Sequence, residues 1–201
     1  MIRFQKKGIT LMPWFSAGGI AICLLAAVFS LFPVNASASW SEIDEILTEA
    51  YGAQIARECR DYYGTLKIPD DQVAAVRDSI ARLVETGYPS GCPREYLRLA
   101  ADLSKAGIDL DDLTNKIREG IAKKVSPERL NKVMENRVEA LLEARVITLE
   151  LIEKDIKFLD RQMAYRVMAD YLLRGVSTEE IVTSVQDGEL SKFPALESVL
   201  K

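Results

Sequence analysis

The stretch Lys124-Val125-Ser126-Pro127-Glu128-Arg129-Leu130 has the pattern of a helix start, and the same plan recurs at Gly107–Leu113 and Gly175–Ile181. In each copy an aliphatic residue precedes a capping side chain and an acidic first turn, and a second aliphatic residue stands five positions after the first. A side-chain oxygen at such a start accepts a hydrogen bond from a free N–H, and the aliphatic pair packs over the turn as a hydrophobic staple. The pattern therefore predicts a row of short, sharply begun helices.

The composition agrees with a helical domain. Of the 201 residues, 48% are hydrophobic and 28% are charged, while the 11 glycines and 7 prolines fall mainly between periodic segments. Such a chain has enough apolar residues for a packed core and too few turn residues for a turn-rich β fold. We expect residues 39–201 to form a single all-α domain of about six to eight helices. The sequence leaves open whether these helices form a solenoid-like array or a compact bundle.

Residues 1–38 have the three parts of a secretory signal peptide. The segment has a basic start, an apolar run from about Ile20 to Val34, and a small-residue end at Ala36-Ser37-Ala38. We expect cleavage after Ala38 and a protein located in the periplasm or secreted. The alternative is an uncleaved segment that anchors the chain in the inner membrane. In the cleaved form, we expect no stable membrane insertion.

The charge of the chain disfavours two kinds of partner. The whole chain has a formal net charge of −4, and removal of residues 1–38 leaves 23 basic against 30 acidic residues, a net charge of −7. An acidic domain without a basic stripe is not suited to nucleic acid, and it is not attracted to an anionic membrane surface. The chain also contains no histidine, which excludes Ser-His-Asp and Cys-His nucleophilic systems and histidine metal ligands. We expect no cofactor and no metal site.

Two cysteines remain beyond the signal segment, Cys59 and Cys92. In an oxidising compartment an even pair predicts a structural disulfide, which would join the first helix to the loop before Arg94. The alternative is a redox-active pair, but such cysteines usually stand two residues apart. The wide spacing favours the structural bridge.

Helix boundaries follow from caps and breakers. We predict one continuous first helix from Ser41 to about Tyr63, ended by Gly64, and a later helix from about Arg94 to Ala106. No glycine or proline occurs between Pro127 and Arg174, so we place a bend near 145–149 on periodicity alone. A short helix is expected near the C-terminus, around 195–200.

Acidic pairs are candidates for catalytic groups. They occur at Asp70-Asp71, Asp111-Asp112 and Glu179-Glu180, all in predicted first turns, where negative charge stabilises the helix dipole. We therefore interpret them as structural and assign no catalytic residue. The best candidate for a binding surface is a set of aromatic and basic residues near the predicted disulfide, because tyrosine and arginine are typical of interfaces. Its members are Tyr62, Tyr63, Tyr88, Tyr96, Arg57, Arg60 and Arg94.

A resemblance supports the same compartment. The run from Asn115 to Leu130, NKIREGIAKKVSPERL, resembles segments of exported, uncharacterised α-helical proteins of Gram-negative bacteria with repeated capped helix starts. The resemblance implies a helical fold and an exported protein, and it implies no activity.

Two functions fit these observations. The first is a non-enzymatic periplasmic module that binds a protein or an envelope component. The second is a carboxylate-dependent enzyme acting on cell-wall or glycan material, which would need an acid with a raised pKa in a concave pocket. The sequence favours the first and does not predict an oligomeric state.

Overall fold

A computed structural model describes residues 40–200 of the chain. This part contains nine α-helices, one 3-10 turn and no β-strand, with a single antiparallel bridge between Phe158 and Leu200. The predicted all-α class is confirmed, and the helix count exceeds the predicted six to eight. The predicted signal peptide at residues 1–38 lies outside the described residues.

The helices follow one another with short connections. In chain order they are α1 (Trp40–Tyr51), α2 (Ala53–Tyr63), α3 (Asp70–Glu85), α4 (Gly91–Lys105), α5 (Asp111–Ala122), α6 (Pro127–Glu153), α7 (Arg161–Leu173), α8 (Thr178–Asp187) and α9 (Pro194–Glu197), with the 3-10 turn at Leu190–Lys192 before α9. Among the described residues, no helix is sufficiently long and apolar to span a lipid bilayer.

The first predicted helix is in fact two helices. Gly52 has a φ of 89° and a ψ of 161°, which stops α1 and starts α2 in a new direction. The two helices fold back on each other, since the ring of Trp40 stacks on that of Tyr63 with 5.3 Å between centroids. The prediction of one helix from Ser41 to Tyr63 was wrong because glycine is tolerated inside helical patterns, whereas this backbone conformation is open essentially to glycine alone.

The predicted bend near 145–149 was also wrong. Helix α6 runs without a break for 27 residues, and the chain reverses only after Glu153. Asp155 ends the helix in the left-handed region with a φ of 65°. Asp160 then starts α7, since its carboxylate accepts hydrogen bonds from the backbone N–H groups of Gln162 and Met163. Aspartates therefore provide the stop and the start in a segment that contains no glycine or proline.

Alternate helices pack side by side and form two layers. Helices α1, α3 and α5 make successive contacts in one layer, and α2, α4, α6 and α8 do so in the other. The pairs α1–α2 and α5–α6 connect the layers, and α7 packs along α6. Contacts between near neighbours along the chain are typical of solenoid-like arrays, one of the two arrangements that the sequence left open.

One continuous hydrophobic core runs between these layers. Helices α4 and α6 contribute the most residues to it, and the buried residues of α4 lie on several sides of that helix. Tyr96 of α4 is fully buried, and the Tyr96 hydroxyl lies 3.2 Å from that of Thr114 on α5. This contact satisfies two polar groups that would otherwise be costly to bury.

Five helix ends in the described part of the chain share one geometry. In each, a residue in the left-handed region donates its N–H to a carbonyl three residues back, and the next residue, which is apolar, donates to a carbonyl five residues back. This is the Schellman motif, in which the left-handed position favours glycine. The left-handed residues are Gly87, Gly107, Lys124, Asp155 and Gly175. The repeated sequence pattern is therefore a helix stop joined directly to a helix start.

Two of the three predicted caps are confirmed. The hydroxyl of Ser126 accepts a hydrogen bond from the N–H of Arg129, and that of Ser177 accepts one from Glu180. The predicted cap at Asp109 was wrong, because the cap position of α5 is Leu110 and has no side-chain hydrogen bond. The Asp109 carboxylate instead accepts hydrogen bonds from the Arg166 guanidinium of α7, at 2.7 Å from each oxygen.

Candidate functional site

The predicted tyrosine–arginine surface does not exist as one surface. Tyr96 has no exposed area, and Tyr63 is 5% exposed beneath Trp40, so neither ring is available to a partner. The Tyr63 hydroxyl donates a hydrogen bond to Asp44, which further fixes the α1–α2 hairpin. These two members of the predicted set are core residues.

The three predicted arginines remain exposed, and two of them form ion pairs. Arg60 of α2 contacts Asp44 of α1 at 2.6 Å, and Arg94 of α4 contacts Glu58 of α2 at 2.9 Å. Arg57 is exposed and Tyr62 is half-buried. Exposed pairs of this kind contribute little to stability, so the arginine-rich face of α2 is a solvated surface.

The predicted disulfide is not formed in the structure, which has Cys59 and Cys92 as free, fully buried thiols. Cys92 lies in the first turn of α4, which begins at Gly91 and not near Arg94, and its sulfur lies 3.9 Å from the carbonyl oxygen of Pro127. The prediction rested on an even cysteine count in an oxidising compartment, which gives no information about the separation of two sulfur atoms. Burial raises the pKa of both thiols to about 11.

The buried thiols should react slowly in the native protein. At pH 8 a thiol of pKa about 11 has roughly a hundredfold less thiolate than one at the ordinary value of 9.0, and the thiolate is the reactive form. In a Cys23→Ser background we expect Cys59 and Cys92 to react with a thiol reagent at least about a hundredfold faster in urea than in buffer. The native rate should rise only as the pH approaches 11.

The same experiment tests the free-thiol assignment. Protein that has been purified without reductant and unfolded in urea should react with two equivalents of the thiol reagent. If the unfolded protein reacts with the thiol reagent only after a reductant is added, the two cysteines form a disulfide and the free-thiol assignment is wrong.

Tyr88 is the member of the predicted set that lies at a cleft. Its hydroxyl donates a 2.6 Å hydrogen bond to the carbonyl of Val125, and its own carbonyl accepts a 2.6 Å bond from the hydroxyl of Tyr51. The first bond holds the α3–α4 turn against the α5–α6 turn, and the second ties the α3–α4 turn to the end of α1. The space between the two turns is an open cleft of about 500 Å³.

The cleft combines an apolar floor with one charge. Its apolar lining comes from Tyr88, Ile121, Val125 and Pro127, and the rest comes from Thr86, Gly87, Lys124 and Ser126. Lys124 is the only charged residue among these eight, and it is exposed. In the described part of the chain, its ammonium group forms no ion pair. An apolar concave surface with few polar groups is typical of a binding site.

Lys124 occupies a backbone conformation that disfavours its side chain. Its φ is 52°, in the position where three of the five equivalent helix ends have glycine. The left-handed conformation costs an L-residue with a Cβ roughly 1 kcal/mol. Backbone strain of this kind clusters at functional sites, which directs attention to this residue.

Replacement of Lys124 by glycine should stabilise the protein by about 0.5–1 kcal/mol, because glycine adopts this conformation without a steric penalty. Urea unfolding followed by circular dichroism measures the change. The matched control is Lys123→Gly, one residue earlier, where φ is −87° and a side chain is not strained; this variant should destabilise slightly. Stabilisation by the control and not by Lys124→Gly would contradict the assignment of strain.

Two smaller clefts continue from the first. One shares Thr86 and Ile121 with it and is lined also by Arg82 and Glu85, and the other shares Val125 and is lined also by Arg129. Lys116 and Lys123 also line the second of these, and both pair there with Glu119. We call the three clefts together the α5–α6 groove.

The acidic pairs occupy the predicted positions. They lie in the first turns of α3, α5 and α8, where their charge suits the helix dipole. Asp112 has a second role that the sequence did not reveal, since it pairs with the guanidinium of Arg137 on α6. Arg137 is 4% exposed and also contacts Asp170 of α7 at 2.5 Å. This triad, with the buried Arg137 at its centre, connects three helices.

The two carboxyl groups with shifted pKa values both have lowered ones, whereas a general acid that works at neutral pH needs a raised pKa. Hydrogen bonds from Arg60 and Tyr63 lower the pKa of Asp44, and those from Lys123 and Lys116 lower that of Glu119. Both stay ionised at neutral pH. Within residues 40–200, no three carboxyl or thiol groups are placed to hold a metal ion.

No protein-family model, no curated protein and no solved structure matches this chain. The candidate site therefore rests on its own geometry, and the resemblance stated for the run from Asn115 to Leu130 stays a prediction.

Proposed function

We propose that this chain is an exported helical protein that works as a non-enzymatic module binding a protein or an envelope component. The observation that carries the proposal is the α5–α6 groove, whose largest cleft offers about 500 Å³ of mainly apolar space beside the ammonium group of Lys124. The predicted export signal at residues 1–38 and the two-layer helical array support it, because stacked helices present extended surfaces to partners. Location in the periplasm or outside the cell is part of the proposal.

The lining of the cleft favours binding over carboxylate catalysis. Glycoside hydrolysis needs two carboxyl groups that flank the substrate. The eight residues that line the cleft include hydroxyl, phenol and ammonium groups and no carboxyl group. The enzymatic alternative therefore draws no support from the main cleft.

Export and binding are tested together in a Gram-negative host. The full chain with a C-terminal affinity tag is produced, and the protein of the periplasmic fraction is sequenced from its N-terminus. We expect the sequence to begin at Ser39. Recovery of the tagged protein only in the inner membrane with an intact N-terminus would support the anchored alternative.

The binding activity is measured on the same material. Chemical crosslinking in whole cells, followed by purification through the tag, should retain the same partner in independent preparations. A tagged periplasmic protein of unrelated sequence is the control. The absence of any reproducible partner, together with release of soluble fragments from purified cell wall, would favour the carboxylate-dependent enzyme over the binding module.

A further inference from the structure

We infer that the α5–α6 groove binds an acidic peptide segment in which a bulky apolar side chain stands next to a carboxylate. This inference rests on the proposed function and adds the chemistry of the partner. The floor formed by Tyr88, Ile121 and Val125 receives the apolar side chain, and Lys124 at the rim receives the carboxylate.

The shape of the main cleft suits side chains of a peptide. A volume of about 500 Å³ accommodates two or three side chains, and the cleft is open on one side to admit an extended backbone. The smaller clefts extend it in both directions past Ile121 and Val125. A continuous groove of this kind fits a linear ligand better than a single small molecule.

The charges along the groove complement an acidic ligand. Three exposed basic residues line it without an ion pair in the described part of the chain, namely Arg82, Lys124 and Arg129. Among the described acidic residues that line it, only Glu85 lacks a basic partner, since Asp78 pairs with Arg77 and Glu119 with two lysines. The groove is thus locally cationic on a chain whose net charge is −4. Complementary charges direct encounter and give specificity.

The backbone at Lys124 indicates that its side chain has a purpose. A cation near the end of α5 would stabilise the helix dipole, but Lys123 already provides one in a relaxed conformation. Gly87, Gly107 and Gly175 occupy the equivalent position at three of the other four helix ends, and Asp155 occupies it at the fourth. The chain has a lysine where glycine would be less strained, and that lysine stands at the rim of the main cleft of the groove.

The number and spacing of the charges favour a peptide over other polyanions. Nucleic acid and anionic membranes are bound by continuous stripes of lysine and arginine. Here the three unpaired cations are distributed over three clefts that each include apolar lining residues, which suits a segment where acidic and apolar side chains alternate.

Fluorescence anisotropy with labelled peptides tests the inference on the purified protein. The probe is a nine-residue peptide that alternates leucine and glutamate, and we expect saturable binding that weakens as salt is added. Two control peptides replace glutamate by glutamine or leucine by serine, and both should bind at least about tenfold more weakly. Vesicles of phosphatidylglycerol are added as a competitor and should not displace the probe.

Lys124→Gly separates binding from folding, because we expect this variant to be more stable than the natural protein. It should bind the leucine–glutamate peptide about fivefold more weakly or worse, while Lys124→Arg keeps the affinity. Lys105→Ala removes an exposed lysine that does not line the groove and should have no effect.

Three results would overturn the inference. They are equal binding of the glutamine peptide, unchanged affinity in Lys124→Gly, and preference for vesicles over the peptide. If Lys124→Gly retains the cellular partner found by crosslinking, the proposed function stands and this site is wrong. If the peptide binds as expected and no cellular partner is found, the site stands and the proposed function fails.

Discussion

Replacement of Arg137 by alanine should destabilise the protein by about 3–5 kcal/mol, which is a large part of the stability of a domain of this size. The Arg137 side chain is 5% exposed and pairs with Asp112, which is 17% exposed, and with Asp170, which is 53% exposed. Alanine would leave the Asp112 carboxylate largely buried without its partner. Asp170 would suffer less, because water reaches it.

Urea unfolding measures this loss, and Arg77→Ala is the matched control. Arg77 also pairs with two acids, Glu42 and Asp78, but it is 31% exposed and its partners are more so. The control should lose no more than about 1 kcal/mol. Equal losses in the two variants would show that burial does not set the importance of Arg137.

A double variant refines the explanation. Arg137→Met with Asp112→Asn removes both charges and keeps most of the volume. It should recover a substantial part of the stability that Arg137→Ala loses, because the main penalty is the charge left unpaired. No recovery would indicate that packing of the arginine stem, and not charge, dominates.

Replacement of Gly52 by alanine should destabilise the protein by about 1–3 kcal/mol. A Cβ at this position would meet no atom within 4 Å, so the penalty comes entirely from the φ of 89°. Relief of this strain would straighten the chain towards one continuous helix. Straightening would separate Trp40 from Tyr63 and Asp44 from Arg60, and both contacts close the α1–α2 hairpin.

Gly91→Ala is the control for Gly52→Ala. A Cβ at Gly91 would likewise meet no atom within 4 Å, and the φ of Gly91 is outside the left-handed region. Because alanine reduces the entropy of the unfolded chain, this variant should be neutral or stabilised by about 0.5 kcal/mol. Circular dichroism during urea unfolding compares the two. Similar losses at both positions would contradict the conformational explanation.

Helix starts and stops were predictable where one residue determines the local geometry. Ser126 and Ser177 cap their helices as expected, because a hydroxyl before a helix has few better partners than a first-turn N–H. Asp109 has the same local pattern, but Arg166 of a distant helix offers it a charged partner. Contacts between elements therefore decided the case in which the local pattern failed.

Helix continuity was harder to predict because the same residue types occur in both outcomes. Gly120 lies inside α5 and is buried against Leu130, whereas Gly52 divides two helices. The reversal after Glu153 uses Asp155 and Asp160, which resemble ordinary helix-surface residues in the sequence. Only the packing of α7 along α6 distinguishes these roles.

The candidate site was predictable in one respect. Among the helix starts that share a common plan, Lys124 stands where Gly107 and Gly175 stand in the other two, and this exception was visible in the sequence. Tyr88 was included in the predicted set, but Tyr63 and Tyr96 face the core. Arg137 carried no sequence signal, since a buried arginine depends on acids from two other helices.

The packing of each helix against the next but one has a consequence for how the protein opens. In an array held by near-neighbour contacts, free energy is distributed along the chain, and the two ends can unfold without the middle. The final segment is held by the packing of α9 against α7 and the 3-10 turn, and by the bridge from Phe158 to Leu200. Amide exchange should therefore be fastest after Gly188 and slowest in α4 and α6, so that the groove stays formed while the C-terminal end opens and closes.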